Sequence, residues 1–368
     1  MALRFHWRLP HGGETSGDTR AAQVKREIGL PDLAAQINFC RRAEQCGIDS
    51  LLTDFGSAKP DSILLAAALG LATEKIKFIV AYRSGLLSPT TFVQQLNTLS
   101  ALINGRFSLN IVAGYSPEEQ RSYGDFLSHD ERYERTDEFL AVCRAFWKDD
   151  GAVNFRGKYY QIENGKLNTP FVSSERRAPE IFIGGSSPPA QALAVKHGSC
   201  WMRLADTPDK LQPGVAPILA TGTEAGLRLS IIARPTRAEA VRAAYAMVAG
   251  LDAAERAPEK EKDFVRRSDS LSINATYQLA ETEWLSPYLW TGAVRSHGAP
   301  SIALVGTPEE VATAIMEYQR IGISQFILAG WPKLDSMIYF GREILPLIRQ
   351  KELGPPTPGR PRADRVAS

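Results

Sequence analysis

The chain has no long apolar run, little cysteine and no strong bias of charge, and each shortage removes a class of protein. Nothing in it approaches the roughly 18 consecutive apolar residues that a membrane helix requires. No charged-then-apolar leader opens it, so a soluble cytoplasmic protein is expected. Lysine and arginine number 43 against 41 aspartates and glutamates, a formal charge of +2, which gives no reason to expect a nucleic-acid or membrane-surface partner. The four cysteines, Cys40, Cys46, Cys143 and Cys200, have no metal-ligand spacing, and Cys40 and Cys46 read as core thiols on a helix. The five histidines, His6, His11, His129, His197 and His297, form neither H-x-x-x-H nor H-E-x-x-H, so no metal site is expected. No G-x-G-x-x-G follows the first strand, which weakens a dinucleotide-binding reading. The absence of a G-x-S-x-G elbow argues against an α/β-hydrolase.

What is present is a rhythm. Over 368 residues, 44% of them hydrophobic, β-rich runs alternate with amphipathic stretches. Strands are expected at Leu3–Leu9, Ser50–Phe55, Lys75–Tyr82, Phe107–Ala113, Glu180–Gly184, Ser199–Leu204, Leu227–Ala233 and Gln325–Ala329, nearly all followed by helices. A short extra strand is expected at Ser301–Val305, and a hairpin at Ala152–Ile162 around Arg156-Gly157. Eight β/α units favour an α/β fold of the (β/α)₈ TIM-barrel kind with insertions over an open doubly wound sheet. The reading is one domain over 1–350 and a tail from 354 to 368 with the composition of disorder. A polar loop is expected from the first strand to about Gly29. Asp252–Ser301, opening on the charged run ERAPEKEKDFVRR, breaks the rhythm as functional loops do.

In such a barrel chemistry sits where the strands end. The sequence GGSS (Gly184 to Ser187) lies between a strand and a helix, where glycine admits close backbone approach and free helix N–H groups suit a phosphate; a tight turn with serine caps is the alternative. Tyr133, early in the fourth helix, can add a hydroxyl to the same phosphate or sit half-buried on its helix. Ala81 and Tyr82 can form a shelf against a flat ring. Arg8, Arg83, Arg203, Arg228 and Arg234 lie on or just after strands. Guanidinium groups there suit a carboxylate, sulfonate or phosphate, unless they face outward between helices.

The chain resembles the bacterial-luciferase-like flavin monooxygenases, and within them the FMNH₂-dependent alkanesulfonate monooxygenase branch. The resemblance runs from Leu3 to about Leu347. It rests on W-x-L-P (Trp7 to Pro10), SPT (Ser88 to Thr90), NGR (Asn104 to Arg106), ERYE (Glu131 to Glu134), GGSS, GLRL (Gly226 to Leu229), LW-x-G (Leu289 to Gly292), ALVG (Ala303 to Gly306) and G-x-P (Gly330 to Pro332). It implies reduced FMN supplied by a separate NAD(P)H-dependent flavin reductase, O₂ as co-substrate, a peroxyflavin that oxygenates a small molecule, and a homodimer or homotetramer. It places the flavin among Ala81, Tyr82, Asn110, Ala113, Tyr133, Gly185, Ser186 and Ser187, with a cis peptide near Ala81–Tyr82. It also makes Tyr288–Gly298 a closing lid, which would keep water from the reacting flavin.

The departures gather on the substrate side. The sulfonate branch carries histidine at Ser230, tyrosine at Trp331, a cysteine near Ala58, a lid arginine nearest His297 with Arg295 two residues earlier, and phenylalanines where the first strand has His6 and Arg8. Ser230 cannot move protons near neutral pH as histidine does. The expected catalytic residues are therefore Arg228, which would hold an anion or the peroxyflavin, and His6 or His297 as proton donor. Arg8, Asp54, Ser230, Arg295 and Trp331 would meet the substrate. The favoured reading is a two-component monooxygenase acting on a small polar or anionic organic substrate. Sulfonate oxidation, F420-dependent hydride transfer and a catalytically silent flavin-binding protein are the alternatives.

Overall fold

The computed structural model describes residues 2–10, 31–57, 59–249, 265 and 267–353. Ala58, the polar loop after the first strand, most of the charged run and the expected tail lie outside these residues.

Eight strands close a parallel barrel: β1 (Arg4–Arg8), β2 (Ser50–Thr53), β3 (Lys77–Arg83), β4 (Phe107–Val112), β7 (Ile181–Gly184), β8 (Cys200–Leu204), β9 (Glu224–Ala233) and β12 (Ile323–Gly330). Closure comes at β9, which pairs with β8 through Glu224–Arg228 and with β12 through Ala225–Ile231. The remaining strands are accessories. β5 (Val153–Arg156) and β6 (Gln161–Gly165) form the expected hairpin, and β11 (Ala303–Gly306) extends β9 and takes the antiparallel β10 (Leu289–Trp290).

Alternation along each strand sets two cores. Outward residues such as Phe5, Trp7, Val80, Tyr82, Leu109, Ile111, Leu227 and Leu229 pack under the helices, while Leu52, Ile79, Ala81, Phe182, Met202 and Ile327 fill the barrel. Below that inner layer the barrel is polar. Arg4 spans Glu180 (2.9 Å) and Glu224 (3.0 Å), and His6 bonds Ser50 (3.0 Å) and Gln325 (2.9 Å).

Local sequence explains the helix starts. Ser88, Ser128, Ser187 and Thr307 each cap a helix through a side-chain oxygen, with reciprocal Glu131 and Glu310 at two of them. The NGR motif turns out to be a staple at the barrel floor, before the start of β4. Asn104 adopts φ 51° to end the helix Pro89–Ile103, and Arg106 donates to the carbonyls of Gly70, Thr73 and Ile76.

Candidate functional site

Two adjoining cavities, of about 240 and 390 Å³, open where the barrel strands end and share the wall Asp54, Lys59, Tyr115, Arg228, Ile273 and Ile327. A larger cavity of about 530 Å³ lies outside the barrel, between Trp147 and Phe171. The strand-end side chains converge on the two cavities at the mouth.

The smaller mouth cavity carries the expected flavin residues Ala81, Asn110, Ala113, Tyr133 and Gly185. Gly185 holds φ +130°, and a Cβ there would stand 2.8 Å from Ala190 and 3.2 Å from the Tyr133 hydroxyl, so only glycine leaves this corner open. Tyr133 hydrogen-bonds to Ser187; burial pushes its phenol above the usual range and that hydrogen bond pulls against it. Ser187 caps the helix Pro188–His197. Ser186 Oγ accepts from Ser272 Oγ at 2.9 Å, in the first turn of the helix Leu271–Leu279, which Ser270 caps. Two helix starts and five hydroxyl-bearing side chains thus stand together; Tyr133, Ser270 and Ser272 line the cavity, while the expected Ser186 and Ser187 sit behind them and do not, a donor set suited to an anion such as phosphate. The buried Arg132 ties this corner to the barrel by donating to the Ala113 carbonyl at 2.9 Å and pairing with Asp269.

The larger mouth cavity centres on Asp54, whose carboxylate receives Arg8 at 2.6 Å, Arg228 at 3.3 Å and Lys59 at 3.5 Å. Burial lowers Lys59 from the usual lysine range; Asp54 opposes that while Arg8 and Arg228 add to it. Burial likewise lowers Arg228, and a guanidinium stays charged regardless. Ser230, Trp331 and His297 complete the wall. Ser230 donates to the Pro300 carbonyl at 3.1 Å, His297 Nδ1 meets Ser296 Oγ at 2.8 Å, and the His297 ring stands edge-on to Trp331 at 5.6 Å.

Four expectations need correction. Tyr82 points outward onto Phe92, 4.5 Å away between ring centroids, because alternation gives the inward places to Ala81 and Arg83. The Ala81–Tyr82 bond is not cis: β3 runs through it in unbroken register with Asn110 and Ile111, and the one cis peptide among the described residues is Trp331–Pro332. His6 lies two residues below Arg8, roughly 7 Å down the strand, with both ring nitrogens engaged by barrel residues; it does not reach either cavity. Arg295 is exposed and lines neither cavity. The lid segment is also better tied than expected. Leu289, Trp290, Ala293 and Val294 are buried, and Trp290 pairs with Ala303. The element over both cavities is the helix Leu271–Leu279, whose Ile273 lines each of them.

Sequence reasoning missed Lys59 and the two serines Ser270 and Ser272. Lys59 follows a strand end in a loop without period. The serines open a short helix inside the irregular stretch, where only the S-x-S spacing before an apolar residue hinted at a cap.

Closed eight-stranded topology with a site at the strand ends defines a TIM barrel. The sequence profile of the luciferase-like monooxygenases matches residues 3–325, and the chain belongs to that family. Among solved structures it is similar to the EDTA monooxygenase EmoA from Chelativorans sp. BNC1, with TM-score 0.76 and 22% identity over 96% of this chain and 95% of that one. Riboflavin lyase RcaE, solved with modified FMN and riboflavin, gives 0.70 and 21% over 96% and 92%. An F420-dependent secondary alcohol dehydrogenase, solved with an F420–acetone adduct, gives 0.65 and 19% over 95% and 100%. At these identities the likeness is one of fold.

Among the described residues no helix is long and apolar enough to cross a membrane, and no group of three or more His, Cys, Asp or Glu side chains is placed to hold a metal ion.

Proposed function

We propose that the protein is a two-component monooxygenase that takes reduced FMN from a separate NAD(P)H-dependent reductase, uses O₂, and oxygenates a small anionic organic substrate. The observation that carries this reading is the pairing of the two cavities: a hydroxyl-rich corner in the smaller one, and a shared wall bearing Lys59 and Arg228, which Arg8 joins on the side of the larger one.

The residues present fit FMN. Tyr133, Ser186, Ser187 and the helix starts beside them would hold its phosphate, Gly185 would let the backbone approach, and Ala81, Asn110 and Ala113 would form the shelf under its ring. Bound there, the reduced flavin supplies the electrons that activate O₂. Arg228, Arg8 and Lys59 bind and orient the substrate anion, their mutual repulsion held in check by Asp54. His297 is the ionisable group on the substrate wall suited to hold or deliver a proton, and the Leu271–Leu279 helix excludes water from above. Ser230 positions Pro300 rather than moving protons. A homodimer or homotetramer is part of the proposal, as is a cytoplasmic location.

The test is an assay with a flavin reductase, FMN and NADH against a panel of carboxylates, sulfonates and neutral analogues of matched size. Substrate-dependent oxygenation confined to anions supports the reading. Sulfite release from short alkanesulfonates would assign sulfonate oxidation. Absence of both substrate oxygenation and peroxide formation with supplied reduced FMN would remove the reading altogether.

A further inference from the structure

We propose that Arg83 is a flavin-ring residue: its two unpartnered donors take an acceptor on the ring of the cofactor and make the site prefer the reduced, anionic flavin. This rests on the flavin reading above.

Arg83 ends β3 and is 2% exposed, yet it lines the smaller mouth cavity. Its Nη2 donates to Glu119 Oε2 at 2.5 Å, and Glu119 is itself held through its other oxygen by the Ser57 N–H at 2.9 Å. The guanidinium lies 5.0 Å from the Phe55 ring and 5.3 Å from Tyr123, so one edge is anchored and its flanks are packed. Nε and Nη1 are buried and have no hydrogen-bond partner. A buried guanidinium with idle N–H groups is costly unless something else accepts from them, and the cavity is the space left for it.

Place and charge point to the ring of the cofactor. Arg83 stands on β3, two strands from β7 in the order β3–β4–β7, so roughly 10 Å of sheet separates it from the GGSS corner. A phosphate at that corner leaves a ribityl chain to cross β4 and brings the ring system to β3. The shelf residue Ala81 lies two residues earlier on the same inward face. The same cavity carries Lys59, Arg203 and Arg228 against the single carboxylate of Asp54. Reduced flavin loses a proton from its pyrimidine ring far more readily than oxidised flavin does. Cationic donors at that edge therefore bind the reduced form more tightly and raise the potential of the couple.

The experiment is an anaerobic titration of the full chain with oxidised and reduced FMN and riboflavin, for wild type, Arg83→Met and Arg83→Lys, with the potential of bound FMN measured alongside. Arg83→Met is expected to weaken reduced FMN about tenfold more than oxidised FMN, as one charge-assisted hydrogen bond implies, and so to lower the potential by about 30 mV for a two-electron couple. Riboflavin should lose affinity in parallel, and Arg83→Lys should recover most of the preference. Should Arg83→Met fail to fold, wild type suffices: its bound reduced flavin must stay anionic, by absorbance, to a lower pH than free reduced flavin. Equal loss for both redox forms, loss confined to FMN with riboflavin unaffected, or protonation at the pH of the free cofactor each overturn the assignment. If wild type binds no flavin in either form, it is the underlying flavin reading that fails.

Discussion

Replacing Asp54 with asparagine removes the one carboxylate that three cations share. Arg8, Arg228 and Lys59 approach it at 2.6, 3.3 and 3.5 Å. At an effective dielectric near 20, each such attraction is roughly 5 kcal/mol before desolvation is set against it. Deleting one partner of a buried pair costs about 3–5 kcal/mol. The cations keep 27 to 28% of their side-chain surface exposed, so water screens part of the loss and about 2–3 kcal/mol is expected. For a chain of this size that is a fall of about 3–4 °C in melting temperature. The loss is also expected to shrink when sulfate is added at constant ionic strength, because a bound anion takes over the role of the carboxylate. Melts of wild type and Asp54→Asn in chloride and in sulfate measure both effects. A variant as stable as wild type, or a loss that sulfate leaves untouched, would refute the view of this cluster as an anion site balanced by Asp54.

Three further outcomes follow from the same geometry. Burial lowers His6 from its ordinary value of 6.5, with the Gln325 hydrogen bond and Asp49 pulling the other way. The folded protein then binds fewer protons than the unfolded chain below about pH 6.5, so stability is full above that pH and is lost as pH falls toward the depressed folded value. His6→Gln should flatten this acid slope by up to about 1.4 kcal/mol per pH unit, read from urea midpoints between pH 5 and 7.5, while leaving flavin binding intact. Arg228→Met is expected to raise the KM for an anionic substrate about 10- to 100-fold, in line with the loss of one charged hydrogen bond, with a smaller loss of affinity for reduced FMN, whose cavity Arg228 also lines. Tyr133→Phe should weaken FMN about fivefold, the worth of one ordinary hydrogen bond, and leave riboflavin unchanged in the same titration.

The barrel was legible because strand and helix periods alternate cleanly and few residues interrupt them. The mouth was legible where a strand end and a motif coincide, as at Arg228, Ser230 and the GGSS turn. Depth was not. His6 and Arg8 share a face, and only the position of the strand end separates a barrel-filling histidine from a mouth arginine. Taking β3 to end at Tyr82 instead of Arg83 put the wrong neighbour on the inward face, a one-residue shift that exchanges cofactor side for core side. Lys59 and the Ser270–Ser272 corner lie in segments without period, so nothing local marked them.

On the proposed function, this mouth binds reduced FMN by its hydroxyl-rich corner and ring shelf. The direct measurement is an anaerobic titration of the full chain with reduced FMN, reduced riboflavin and reduced F420. Saturable binding of reduced FMN, weaker binding of reduced riboflavin and little binding of F420 are expected of that mode. Tighter binding of reduced F420 than of reduced FMN, or indifference to the phosphate, would contradict it.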